Sequence, residues 1–174
     1  MELGVSDGVM MELQELIALV DRQEELLRLK TFNSSIAWKL GNLFHEKIVK
    51  EDLPIAVSIR SINGKTLFHY SSDKANYGSQ GWLDRKFNTV RHFETSTLRY
   101  ALFLRSRGAT LLERGLDPSK FVSGGGGFPI RTIDSTLVGA VLVSGMKDTE
   151  DHAIIIEVLS QYLDVINVPV YPIS

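Results

Sequence analysis

The chain has 174 residues, 44% hydrophobic and 23% charged, with a formal net charge of −2 and no cysteine, the profile of a single ordinary globular domain. The missing cysteines exclude disulfides, thiolate nucleophiles, thiolate metal sites and covalent haem attachment through Cys-x-x-Cys-His. The small net charge makes nucleic acid an unfavoured partner, and apolar runs such as Leu137 to Val143 fall far short of the ~20 residues a membrane-spanning helix needs.

The opening stretch, Met1 to Met10, carries Glu2 and Asp7 and has neither a basic nor an apolar region of the kind a secretory leader requires, so the expected location is cytoplasmic. Leu13, Leu16, Ile17 and Val20 then fall at helical spacing and predict a first helix from about Met10 to Leu29. A second follows, with Asn33, Ser34 or Ser35 as cap, Ile36, Leu40, Phe44 and Ile48 as its buried stripe, and Pro54 as a stop. Ile55, Val57 and Ile59 alternate with Ala56, Ser58 and Arg60. A second β-like run covers Lys65 to Tyr70, and Asn63-Gly64 between the two predicts a hairpin with a type I′ turn.

After a polar loop from Ser71 to Ser79, one long helix is predicted from Gln80 to about Ser106, with Leu83, Phe87, Val90, Thr97, Ala101 and Leu104 on its buried side. The segment from Gly108 to Lys120 gives no firm pattern. Gly126 to Ile133 and Thr136 to Ser144 predict a second hairpin around Asp134-Ser135, and the nearly continuous apolar run from Val138 to Val143 marks a central strand. A helix from about Asp148 to Val165 and an extended tail, Val168 to Ser174, complete the chain. The expected class is α/β, in the α+β sense. It is a profilin-like central antiparallel sheet flanked by helices, with two helices at the amino terminus and no division into domains. Strand and helix do not alternate as a doubly wound nucleotide fold requires.

Four features bear on function. The run Ser123 to Ile130 contains four consecutive glycines, where backbone can approach a ligand or another strand closely. Phe128-Pro129-Ile130 begins a strand rather than a helix, so the run is not a phosphate loop. Gly126, Gly127 and Phe128 are therefore candidates for ligand contact through backbone and ring. At the far end of the hairpin, Ser144 and Gly145, also candidates for ligand contact, lead into a helix whose first turn holds Asp148, Glu150, Asp151 and His152. Asp148 and Asp151 have capping-box spacing, the carboxylates occupy the end of the helix an anion would otherwise seek, and His152 is a candidate neutral imidazole beside a ligand.

Arg85, His92 and Arg99 recur every seven residues on the predicted long helix, with Lys86 and Arg91 nearby. From Gln80 to Arg107 there are six Lys/Arg against Asp84 and Glu94. Arg85, Arg91, His92 and Arg99 are thus candidates for holding a carboxylate-bearing ligand or an acidic neighbouring subunit. His45-Glu46, His69, His92 and His152 match no metal-binding spacing. No Gly-x-Ser-x-Gly elbow is present, and Ser144-Gly145 has no assignable His/Asp order, so hydrolase chemistry is disfavoured. Trp38, Trp82 and Phe87 read as core or interface residues.

The set Gly126 to Ile130, the strand from Val138 to Gly145, and Glu150-Asp151-His152 resembles the haem-degrading, GlcG/HbpS-like domain family, and within it the branch called uncharacterised protein family 0303. The resemblance extends upstream through Ala56 to Ile59, Asn63-Gly64, Trp82 with Arg85-Lys86, and Phe93 to Thr97, so it covers roughly Pro54 to Leu163. It implies a central antiparallel sheet with flanking helices, homo-oligomerisation, and in some relatives a connection to haem or corrinoid pathways. It transfers no catalytic residue set.

The reading is therefore a non-enzymatic, oligomeric protein that binds a small molecule near the glycine-rich hairpin, the basic helix face and His152. One rival is a haem-handling protein or enzyme working through His92 or His152. The other is an assembly module whose apolar tail, Val168 to Ile173, docks on another subunit.

Overall fold

The computed structural model of the chain describes the backbone of residues 3–173 and the side chains of residues 12–173. Residues 1 and 2 of the opening stretch, and Ser174 of the tail, lie outside the described residues. In chain order the elements are α1 (Leu3–Leu26), α2 (Ser34–Glu51), β1 (Ala56–Ser61), β2 (Thr66–Ser71), α3 (Ser79–Phe93), α4 (Thr97–Arg107), a 3₁₀ turn (Leu112–Arg114), β3 (Gly127–Arg131), β4 (Leu137–Ser144) and α5 (Asp148–Leu163). The strands form one antiparallel sheet in the order β2-β1-β4-β3, the α+β architecture expected from the sequence.

Alternation along β1 and β4 sorts side chains to two covered faces. Ile55, Val57, Ile59, Val141 and Val143, with Phe128 and Ile130 of β3, join Leu40, Phe44 and Ile48 of α2 and Ile155 and Leu159 of α5 in the main core. Ala56, Ala140 and Leu142 point to the other side and meet Leu83, Phe87 and Val90 of α3. Two covered faces account for the unbroken apolar character of β4. Each fully buried large aliphatic or aromatic side chain contributes roughly 1.5–3 kcal/mol. A further cluster joins Leu13, Ile17 and Val20 of α1 to Leu98 and Leu102 of α4 and to Tyr171 of the tail. The α2 cap is Asn33, whose side chain accepts from the Ile36 N–H at 2.9 Å.

Both hairpins are present, but the first does not use a type I′ turn. Gly64 has φ +97° and Asn63 keeps a negative φ. The Gly64 N–H bonds to the Ser61 carbonyl, and the Ser61 N–H to the Lys65 carbonyl. This is a three-residue loop closed by a residue of positive φ. The second hairpin repeats it: the Ser135 N–H bonds to the Thr132 carbonyl and the Thr132 N–H to the Thr136 carbonyl, with Ser135 at φ +74°. In each, the middle loop residue's side chain, Asn63 or Asp134, accepts from the hydroxyl of Ser61 or Thr132.

The predicted long helix is two helices. α3 stops at Glu94, which adopts φ +57°, and Ser96 caps α4 by accepting from the Arg99 N–H at 3.1 Å. Two distant groups hold the break. The Glu24 carboxylate of α1 accepts from the Thr95 and Ser96 hydroxyls and the Ser96 N–H, and the Arg131 guanidinium donates to the Glu94 carbonyl. Helical periodicity continues across residues 94–96 in the sequence because none of these partners is local.

Candidate functional site

A cleft of about 740 Å³ lies within the range of small-molecule sites. α3 forms one wall with Ser79, Trp82, Arg85 and Lys86. The glycine run and the turn from β4 into α5 form the other, and Leu111, Pro118, Phe121 and Val122 close it over.

Glycines let these walls meet. Gly126 has φ +116°, and a Cβ there would lie 2.5 Å from the Val143 carbonyl oxygen and closer still to Lys86 Nζ. At Gly125 a Cβ would reach 3.1 Å from both the Asp148 carbonyl carbon and His152 Cβ. The expected close backbone packing is the role the run plays here. Two of its amides are also spoken for: the Gly125 N–H donates to Asp148 Oδ2 at 3.1 Å, and the Gly127 N–H to Thr97 Oγ1 at 2.9 Å.

The α5 start departs from the expected capping box. Lys147 is the N-cap, Asp148 is the first helical residue, and the Glu150 carboxylate accepts from the Lys147 N–H at 3.1 Å. Asp151 turns back instead, accepting from the Met146 N–H at 3.0 Å and from Lys86 Nζ at 3.2 Å. Lys86 also donates to the Val143 carbonyl at 2.7 Å. Lys86 and Asp151 are 5% and 2% exposed yet both line the cleft. Burial pushes Asp151 up to about 6 against the attraction of Lys86, and it moves Lys86 below its ordinary range although Asp151 opposes this.

Arg85 lies over the Trp82 ring with its guanidinium carbon 3.7 Å from the centroid, a cation–π arrangement. It hydrogen-bonds only to the Gly81 and Pro118 carbonyls, both at 3.4 Å, and forms no ion pair with a carboxylate among the described residues. Of the three aromatics read as core or interface residues, Phe87 is buried in the core, whereas Trp82 is 44% exposed and Trp38 62%.

Of the predicted site residues, Arg85, Ser144 and Gly145 line the cleft. Gly126, Gly127 and Phe128 are buried behind it. His152 is buried as well, its Nε2 2.7 Å from Gln23 Oε1. Because Gln23 Nε2 donates to the Pro169 carbonyl at 2.8 Å, the amide oxygen faces the imidazole and His152 Nε2 carries the proton. Nδ1 has no hydrogen-bond partner among the described residues, and burial lowers the imidazole to about 4.

The seven-residue basic row dissolves with the long helix. Arg99 on α4 pairs with Asp21 of α1 at 2.7 Å, Arg91 lies over Phe87, and His92 meets Phe93 and Phe121 edge-to-face beside a separate hollow. Sequence reasoning passed over Lys86 and Asp151 as binding groups. One signal was available: Lys86 falls inside the apolar stripe of Leu83, Phe87 and Val90, where a lysine needs a buried partner.

Residues 32–160 match the family model described as haem degrading protein HbpS-like, so the match begins before α2, upstream of the Pro54 boundary inferred from the sequence. A UPF0303 protein of Zymomonas mobilis is 37% identical over 148 residues, spanning 84% of this chain and 79% of its own. Among solved structures, the Ybr137w protein aligns with TM-score 0.77 at 22% identity over 90% of this chain and 94% of its own. A PduOC–haem complex aligns with TM-score 0.59 at 22% identity over 83% and 99%; at these identities the likeness is one of fold. By the extent of the family match and the identity to curated relatives, the chain belongs to the HbpS-like family, in its UPF0303 branch.

Proposed function

We propose that the cleft binds a small amphipathic molecule with a carboxylate or similar anionic group at Arg85 and a flat or apolar face against Trp82, Phe121 and Met146. The observation that carries this reading is the Arg85 guanidinium, stacked on a half-exposed indole in a cleft of about 740 Å³ without a carboxylate partner among the described residues. A fixed guanidinium of this kind offers paired N–H donors to an anion, and the exposed indole supplies apolar area.

Mass spectrometry of gently purified protein, followed by thermal-shift titration of whatever co-purifies, tests the reading. Arg85→Ala is expected to weaken binding about tenfold or more, the worth of one charge-assisted contact. A ligand that binds the variant as tightly as the wild type overturns the assignment.

Haem is a second candidate occupant, since one fold neighbour was solved as a haem complex and haem combines carboxylates with a flat apolar face. The cleft does not fit a histidine-ligated iron. His92 and His152 lie outside it, and Met146 is the only lining residue, among the described residues, of a type that ordinarily ligates haem. Haem titration followed in the Soret region checks this: a saturable spectrum lost in Arg85→Ala and Met146→Ala supports the cleft, and one lost in His92→Ala places haem elsewhere.

A further inference from the structure

The lysine at the bottom of the cleft goes beyond the binding of an anion. Lys86 has an ammonium within hydrogen-bonding distance of a carboxylate, both groups are almost wholly buried, and both line the same cleft. Its place is built. Gly126 leaves room where any side chain would strike Nζ, and the Val143 carbonyl holds Nζ from the sheet side. Arg85, the preceding residue of α3, brings a second cation to the cleft, one that pairs with no carboxylate among the described residues.

We propose that Lys86 is a carbonyl-capturing amine, condensing with the aldehyde or keto group of a carboxylic acid held by Arg85, with Asp151 receiving and returning the proton. The proposal rests on the cleft being a ligand site and names the ligand class as an oxo acid. In the first step the Lys86 ammonium passes a proton to Asp151. The nitrogen lone pair attacks the carbonyl carbon, the C–N bond forms, and the carbonyl π electrons move to oxygen. After proton transfer from nitrogen to that oxygen gives the neutral carbinolamine, Asp151 protonates the hydroxyl, which leaves as water. The resulting protonated imine returns a proton to Asp151, or keeps it and faces the carboxylate. One amine and one carbonyl give one imine and one water, with no change of oxidation state.

Burial favours this chemistry at both ends. Desolvation raises the share of free amine and makes the carboxyl group a better proton acceptor. The imine product also removes the cost of keeping an ammonium out of water when the proton is given up.

Reductive trapping tests it directly. Full-length protein is incubated near neutral pH with phenylpyruvate or pyruvate and sodium cyanoborohydride, then mapped by peptide mass spectrometry. Phenyllactate, which has the carboxylate and ring without the carbonyl, serves as the matched non-condensing ligand. Lys86 is expected to be labelled about tenfold or more faster than the exposed Lys39, Lys50, Lys65 and Lys74, as a desolvated amine beside a base should be. The surface lysines are the internal reference, so the result does not depend on a Lys86 variant folding. Phenyllactate is expected to slow labelling at Lys86 alone, and Asp151→Asn to slow it further in protein whose circular dichroism is native.

Labelling confined to surface lysines overturns the proposal. Where that occurs while phenyllactate raises the melting temperature of the wild type and not of Arg85→Ala, the amine chemistry falls and the binding cleft stands. With neither labelling nor stabilisation, the oxo-acid ligand class falls as well.

Discussion

At the scale of single residues, the glycine run separates backbone need from ligand contact. Gly126 requires glycine twice over, through its φ of +116° and through the Val143 oxygen and Lys86 ammonium that a Cβ would strike. Gly124, two residues earlier, has room: a Cβ there meets the Asp148 side chain at 3.4 Å, an ordinary contact, and it borders the cleft. Gly126→Ala is accordingly expected to cost about 2–4 kcal/mol through strain and overpacking, and Gly124→Ala less than about 1 kcal/mol. Urea unfolding of the two variants checks the difference. Equal destabilisation would mean that the run is held by something other than this steric contrast. The sequence identifies the run as a place of close approach, but it cannot say which glycine meets which atom, because Lys86 and Val143 are 40 and 17 positions away.

At the scale of elements, the most informative point is the break between α3 and α4. Leu83, Phe87 and Val90 continue into Thr97 and Leu104 at helical spacing, so periodicity alone predicts one helix, and the Ser96 cap is visible only to a reader already looking for it. The α1 carboxylate of Glu24 decides the matter. Both helices, the strands and the hairpins were legible from pattern; the break was not, since its hydrogen bonds span about seventy residues. Among the site residues, Arg85 was legible as a basic group on α3, whereas His152 was misplaced because its first-turn position says nothing of the Gln23 side chain that buries it.

Glu24 also makes the break sensitive to pH. Burial raises its carboxyl from 4.5 to about 7, against the hydrogen bonds from Thr95 and Ser96. Between those values the folded chain holds a proton that the unfolded chain has lost, so this contribution to stability is present at pH 4.5 and falls away as pH rises through 7. Asp151 acts in the same sense up to about 6. His152 acts in the opposite one: lowered from 6.5 to about 4, it costs stability as pH falls through that window. The wild-type profile sums these, and a difference isolates Glu24. The melting temperature of the wild type minus that of Glu24→Gln is expected to drop by several degrees from pH 5 to pH 8. A flat difference would show that Glu24 ionises as an ordinary surface carboxyl.

At the scale of the whole molecule, the apolar tail decides between an internal clasp and an assembly device. Tyr171 is buried against Leu13, Ile17, Val20, Leu98 and Leu102, and the Pro169 carbonyl accepts from Gln23, whose other end receives the His152 imidazole. Tail, α1, α4 and α5 are thereby joined within one chain, while Ile166, Val170 and Ile173 remain exposed. Ending the chain at Asn167 removes the burial of one aromatic ring and strands the Gln23 amide. The expected cost is about 2–4 kcal/mol, or a fall of roughly 5–15 °C in melting temperature for a domain of this size. The clasp predicts that fall with no change in the mass measured by light scattering. A changed mass with an unchanged melting temperature would instead assign the tail to contacts between subunits, with Val170 and Ile173 as the side chains that make them.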